Sequence, residues 1–509
     1  MATHRSSSQE STRTTSSASS SLDRRFDSSA QLILIRDEST DSEEDTPTHV
    51  PGDGGDDEDY DDEFEDELFP SIDHLRSSPI PDLPPTLVFL YMLAPCLKLG
   101  ALLVSNVDYP LQWAIPMLAF FAVLSAFARH LWYMLARYVR KANMEDIVLD
   151  TFARDRRKER RREIIRTIVR CTTGVTRICT MLLYYRVTVQ VLSPQLPEKV
   201  WILPTGPVLS TILAVVLLPL SMAPSLASRR VVFSTTASLL AFVGWIVCVA
   251  YAYATGTLPH PAVVPNLGSL WESPTIFALA FTTSWTLPLY TALKRTPSVT
   301  ITGGSKTWRS FRLLSIFSIA LAVALILPLL FFGPSAPPAS DPQPLLAFLA
   351  AATLFLGIPA VFVTTPLFPI PLTLRKNTNI PFAKIVLYLV VVSSAFFPNS
   401  LVSVVSDVLM VFALSNAYFA PAFIHIVTHT FKRPIAIVMP RTPLRSASHP
   451  SFSAQGDEMM EELLRRKERS LQKRRLLRRI AWDVGVWVLL LPVGGGGYVW
   501  AVGRLAGKW

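Results

Sequence analysis

The stretch Tyr91-Met-Leu-Ala-Pro-Cys-Leu-Lys-Leu-Gly100 decides how this chain of 509 residues folds. It sits inside an apolar run from about 84 to 106, and a helix needs roughly 20 such residues to cross a hydrocarbon core of ~30 Å. Pro95, near the middle, lacks a backbone N–H, and its ring clashes with the preceding turn, so the helix must break there. Broken backbone is tolerated at membrane depth only where it meets protein or lines a cavity. A span of this kind therefore belongs to a bundle of helices around an interior site.

Further apolar runs lie on both sides of it. They fall at about 110 to 136, 165 to 192, 201 to 222, 231 to 254, 273 to 293, 311 to 333, 345 to 370, 382 to 397, 400 to 427 and 480 to 503. With the first they make a ladder of about eleven spans, all expected to be helical. Every second gap is basic: Arg137, Arg140, Lys141 and the run Arg154 to Arg162, then Arg229 with Arg230, Lys294 with Arg295, and Arg375 with Lys376. The alternate gaps carry Lys199 as their one Lys or Arg. The positive-inside rule then puts the N-terminus in the cytoplasm and Trp509 on the other side.

Apolar residues make up 50% of the chain and charged residues 17%, and the mean hydropathy is +0.35, too oily for a soluble protein of this length. The net charge of +9 does not mark nucleic-acid binding, because the excess sits in loops flanking spans, where anionic lipid headgroups are the counter-charge. Cys96, Cys171, Cys179 and Cys248 all fall inside predicted spans, with no Cys/His cluster, so neither a disulfide framework nor a metal site is expected.

Residues 1–82 differ sharply in being Ser-rich and then acidic, with no apolar run to form a core or a signal peptide; they are expected to form a disordered cytoplasmic tail, open to phosphorylation and to cytoplasmic regulators. Residues 83–430 form the expected ten-span core. A linker, 431–479, ends in Met459 to Arg479, where leucines alternate with Arg and Lys as in a basic amphipathic helix on the inner leaflet. Residues 480–509 carry the eleventh span, whose glycines at 494–497 suit helix packing or a kink. Nucleophile-elbow, Walker and dinucleotide motifs are absent, so the chain is not read as an enzyme and no cofactor is expected.

Function must then come from the bundle, and paired interrupted spans are the best pointer to a carrier site. The partner of the first span is the sixth, where Phe281-Thr-Thr-Ser-Trp-Thr-Leu-Pro288 concentrates hydroxyls in an oily segment and Pro288 disrupts the ladder. Such hydroxyls can replace water around an ammonium, a carboxylate or a cation, or can bond back to their own helix.

The run Ser273 to Lys294 resembles the sixth span of the amino acid/auxin permease family. Met144-Glu-Asp-Ile-Val-Leu-Asp-Thr-Phe-Ala153 looks like that family's Tyr-Glu-Asp-Leu loop; Ala360 to Pro371 resembles its Thr-rich eighth span, and Phe397 to Val427 is similar to its tenth. The resemblance covers roughly 84 to 430 and the last span, and it is carried by ordered weak motifs. It implies an all-α integral membrane protein of the LeuT-type fold: a five-plus-five inverted repeat plus one helix. It implies a secondary carrier of amino acids coupled to H⁺ or Na⁺. Carried over, substrate binding falls on Ala94, Pro95, Cys96, Thr282 and Thr283, and ion or proton coupling on Thr364. The family's glycine-containing first-span motif is missing here, and Lys98 stands close to the break.

Asp407, within Ser403-Val-Val-Ser-Asp407 and with no Lys or Arg nearby in sequence, suits a proton carrier or a hydrogen bond to neighbouring hydroxyls. Arg170, Arg177 and Arg186 in the third span are expected to share roughly one face, turned into the bundle or a wet vestibule. His130 and His425 lie near cytoplasmic ends. The leading expectation is an amino acid carrier with alternating access, in a vacuolar or other endomembrane rather than the plasma membrane. The alternative is a membrane receptor or scaffold that keeps the fold without transport.

Overall fold

The computed structural model describes residues 83–105, 110–139, 143–153, 159–197, 199–200, 203–255, 274–282, 286–294, 304–332, 344–366, 382–428 and 482–496. All of them belong to the unit Tyr60–Trp509. The expected tail, 1–82, and the linker 431–479 lie outside the described residues.

The described residues are helical apart from a short antiparallel ladder, β1 (Lys199–Val200) with β2 (Leu203–Pro204). Six helical segments among them are long and apolar enough to cross a membrane: Pro85–Val104, Leu111–Ala136, Arg229–Ala254, Phe311–Phe332, Pro344–Thr364 and Asn399–Ile426. Thr205–Ser221 and Phe382–Phe396 are apolar but shorter. The chain is thus a multi-pass helical membrane protein by length and composition, and its surface agrees.

Along α7 (Arg229–Ala254) Phe233, Leu240 and Val247 are exposed, 75% for the first, while Ser234, Thr235 and Ser238 on the other side are buried, the last at 0%. Hydrocarbon outside and hydroxyls inside would promote aggregation in water but match a hydrocarbon solvent.

The first span is broken as Pro95 requires. α1 (Pro85–Leu93) gives way to a 3-10 turn, Ala94–Leu97, then to Lys98 with φ −115° and ψ −139°, and α2 (Leu99–Val104) resumes the crossing. α3 (Leu111–Val139) follows, with Pro116 in its interior. α4 (Met144–Phe152) turns the expected loop into a short helix, which a bidentate pair from Arg170 to Glu145, at 2.9 and 3.1 Å, ties to α5 (Glu159–Leu192). α6 (Thr205–Ser221) leads to α7.

The sixth span is also interrupted. α8 (Pro274–Ala280) stops before Phe281, and α9 starts again at Thr286–Lys294. This corrects the expected cause. Pro288 lies in the first turn of α9, where a missing N–H is unpaired in any helix and costs nothing. The interruption precedes it, next to the hydroxyl-rich stretch.

α10 (Gly304–Ile326) packs against α1 and α3; α11 (Pro344–Phe355) and α12 (Ile358–Thr364) complete the eighth run, with α11 lying along both α5 and α7. α13 (Phe382–Ser393) and α14 (Asn399–Leu414) follow. A π-helical stretch, Ser415–Phe419, joins α14 to α15 (Ala420–Ile426), and a second one, Leu489–Gly496, carries the first three of the expected glycines, Gly497 lying outside the described residues. The main core joins α2, α3, α5, α8, α11 and α14 around fully buried Trp245, Phe277, Phe281 and Tyr418.

Candidate functional site

A cavity of about 100 Å³ opens beside both breaks, against the ~10–15 Å³ that one water requires. Ala94, Pro95 and Lys98 come from the first span, Leu279 from the end of α8 and Thr282 from just beyond it, and Thr176, Arg177, Thr180 and Tyr184 from α5. Thr235 of α7, Gly357 between α11 and α12, and Asn416 of the π stretch close it.

The two half-helices meet here. α2 crosses α8 so closely that a Cβ on Gly100 would lie 2.6 Å from both the Cα and the N of Ala280. Glycine is what permits that approach. The carbonyls released by the sixth-span break are then taken by side chains: the Tyr418 hydroxyl donates to Ala278 O at 3.0 Å, Ser125 to Phe281 O at 2.8 Å and Thr282 to Leu279 O at 2.8 Å. In the first span, Arg129 donates from Nη2 to Met92 O at 3.4 Å. Backbone groups freed in a dry interior must find such partners.

Lys98 is the main departure from an apolar span. It is 4% exposed. Its ammonium donates to the hydroxyl of Ser238 and to Thr353 O at 3.1 Å, and Ser238 itself donates to Thr353 O at 2.6 Å. The first span is thereby tied to α7 and α11. Both of these partners are neutral, and a buried cation held by dipoles alone is costly. An ammonium has three N–H donors, so one remains for an occupant of the cavity it lines.

Arg177, 9% exposed, donates to Thr364 O at the end of α12. The three arginines of α5 do not share a face as expected. Nine residues are two and a half turns of a helix with 3.6 residues per turn, so Arg186 emerges opposite Arg177. It reaches Ala395 O and Asn399, while Arg170 is exposed and pairs with Glu145.

The expected site residues divide into three groups. Ala94, Pro95 and Thr282 line the cavity. Cys96, fully buried, lies off its lining, with its thiol against Met92 O and Arg129. Thr364 contributes its carbonyl to Arg177 and bonds its hydroxyl to Val361 O at 3.0 Å, and Asp407 is half-buried on α14; neither lines the cavity. Thr283 lies outside the described residues.

Tyr184, Thr235, Asn416, Gly357 and buried Arg129 were not foreseen. Asn416 donates to Thr176 Oγ1 at 3.0 Å across the cavity wall, and Arg129 donates to Ser318 Oγ at 2.8 Å. Arg129 had a signal in the sequence, since it is a lone cation well inside an apolar run.

Comparison with protein-family models, with curated proteins and with solved structures finds no match to this chain. The likeness to amino acid permeases rests on the motifs quoted above.

Proposed function

We propose that the protein is a secondary active carrier that moves an amino acid across a membrane, driven by H⁺ or Na⁺, with alternating access around the cavity between its first and sixth spans. One observation carries this reading: two interrupted helices cross backbone to backbone at Gly100 and Ala280, and a cavity with polar side chains in its wall opens beside both interruptions. Inverted-repeat carriers place their sites among such discontinuous helices near the midplane.

The rungs fit the same plan. In this reading the six long apolar segments, the two shorter ones, α5, the α8–α9 pair and the last helix are taken as the eleven crossings of a five-plus-five repeat plus one. α5 has the length of a span but carries three arginines, which lowers its apolarity. Inside the cavity, Lys98, Asn416 and the hydroxyl of Tyr184 offer donors for a carboxylate. The membrane we take is a vacuolar or other endomembrane, a placement that fluorescence microscopy of the tagged chain tests directly.

The deciding experiment is uptake of a labelled amino-acid mixture into proteoliposomes under an imposed pH or Na⁺ gradient. Gradient-dependent uptake is the expected result. Its absence, with insertion verified, overturns the carrier reading in favour of a receptor or scaffold. That second reading has its own support: Thr282, Lys98 and Arg177 all spend donors on the protein itself.

A further inference from the structure

A second recess, of about 290 Å³, shares no lining residue with the central cavity. It lies between α3, the start of α10 and the last helix. Arg129 and His130 come from α3, Arg312 from α10, and Trp482 from the last helix. The imidazole of His130 stacks on the Trp482 indole with ring centroids 5.1 Å apart, and Phe127 lies 4.8 Å from the same indole. The last helix docks tightly here, since a Cβ on Gly485 would come within 2.7 Å of Phe127 Cζ.

The recess is cationic and open to the side. Arg312 is exposed at its wall, while Arg129 is held behind by Ser318 and Met92 O. Among the described residues no carboxylate lines it; Asp483, next to Trp482, is exposed and lies off its wall. Val123 and Ile316, 70% and 49% exposed, continue it as an apolar flank along α3 and α10.

Its depth follows from the charge ladder. The end of α3, the start of α10 and the start of the last helix follow or precede basic gaps, so three separate segments bring cytoplasmic ends to one place. Arg474, Arg475, Arg478 and Arg479 immediately precede Trp482 in sequence. Basic pockets between helices on this side suit anionic headgroups, and guanidinium groups match phosphate oxygens in a bidentate way.

We propose that this recess binds an anionic phospholipid of the cytoplasmic leaflet, with its phosphate beside Arg312, Arg129 adding positive charge from behind, and an acyl chain along Val123 and Ile316. The aromatic pair His130 and Trp482 forms the wall at headgroup level. The site is independent of the central cavity, so it stands or falls without reference to transport.

Native mass spectrometry of the full chain in detergent tests it, with phosphatidylserine, phosphatidylcholine of identical chains, and soluble glycerophosphoserine as probes. Phosphatidylserine should be retained at lower concentration than phosphatidylcholine. Arg312→Gln should weaken its retention about fivefold, the value of one basic residue near an anionic surface, while Arg229→Gln, off the recess, leaves it unchanged. Should Arg312→Gln lower the melting temperature, His130→Gln replaces it and should weaken retention in the same direction. Equal retention of the two lipids overturns the proposal, as does unchanged retention in the variants. Glycerophosphoserine binding as tightly as the intact lipid would mark a soluble-phosphate site and overturn the lipid.

Discussion

Gly100 and Ala280 meet backbone to backbone, and a single added methyl group at 100 would stand 2.6 Å from the Ala280 backbone. Neither partner can yield cheaply, because both atoms belong to the main chain of buried half-helices. Gly100→Ala is expected to destabilise by about 1–3 kcal/mol, the usual cost of overpacking. Gly244 provides the contrast: the nearest atoms to an added Cβ are 3.8 Å away on Leu349, so Gly244→Ala should be neutral or stabilise by up to ~1 kcal/mol through helix propensity. The fraction of protein remaining folded after heating in detergent measures both.

Lys98→Met removes a buried charge and leaves Thr353 O with a donor, since Ser238 continues to donate to it. Apolar replacement of a buried charge is neutral or stabilising by about 1–4 kcal/mol, so the melting temperature should hold or rise. Gradient-driven uptake should fall at the same time. A lower melting temperature would show instead that the ammonium holds the bundle together.

Arg177→Met should behave in the opposite way. It takes from the carbonyl of Thr364 the donor that reaches it from α5, and removing one partner of a buried hydrogen bond costs about 1–3 kcal/mol. Thermal unfolding of the two variants side by side gives the comparison, and equal shifts would contradict it.

Asp407→Asn tests coupling apart from binding. Asp407 is half-buried on α14 and lies off the cavity lining, although Leu409, two residues on, belongs to it. pH-driven uptake should be lost while substrate exchange and apparent affinity persist. Unchanged driven uptake removes this acid from the mechanism.

The break in the first span was legible because proline acts locally: Pro95 dictates the 3-10 turn without help from any distant residue. The sixth-span interruption was legible in place but not in cause, since Pro288 looks the same in sequence whether it breaks a helix or begins one. The arginines of α5 could have been placed more closely from helical period alone, which already sets Arg186 opposite Arg177. The remaining cavity wall was not readable. Thr235, Gly357 and Asn416 come from three separate segments, and apolar periodicity does not separate a helix face that meets lipid from one that meets protein when both are hydrophobic.

Gly357 and Lys98 also limit each other's replacement. A Cβ at 357 would lie 3.0 Å from both Cε and Nζ of Lys98, so any side chain there competes with the ammonium for the space beside Ser238 and Thr353. The bare turn between α11 and α12 is thus the seat on which the ammonium rests, and the room for a charge on the first span is set by a residue of the eighth.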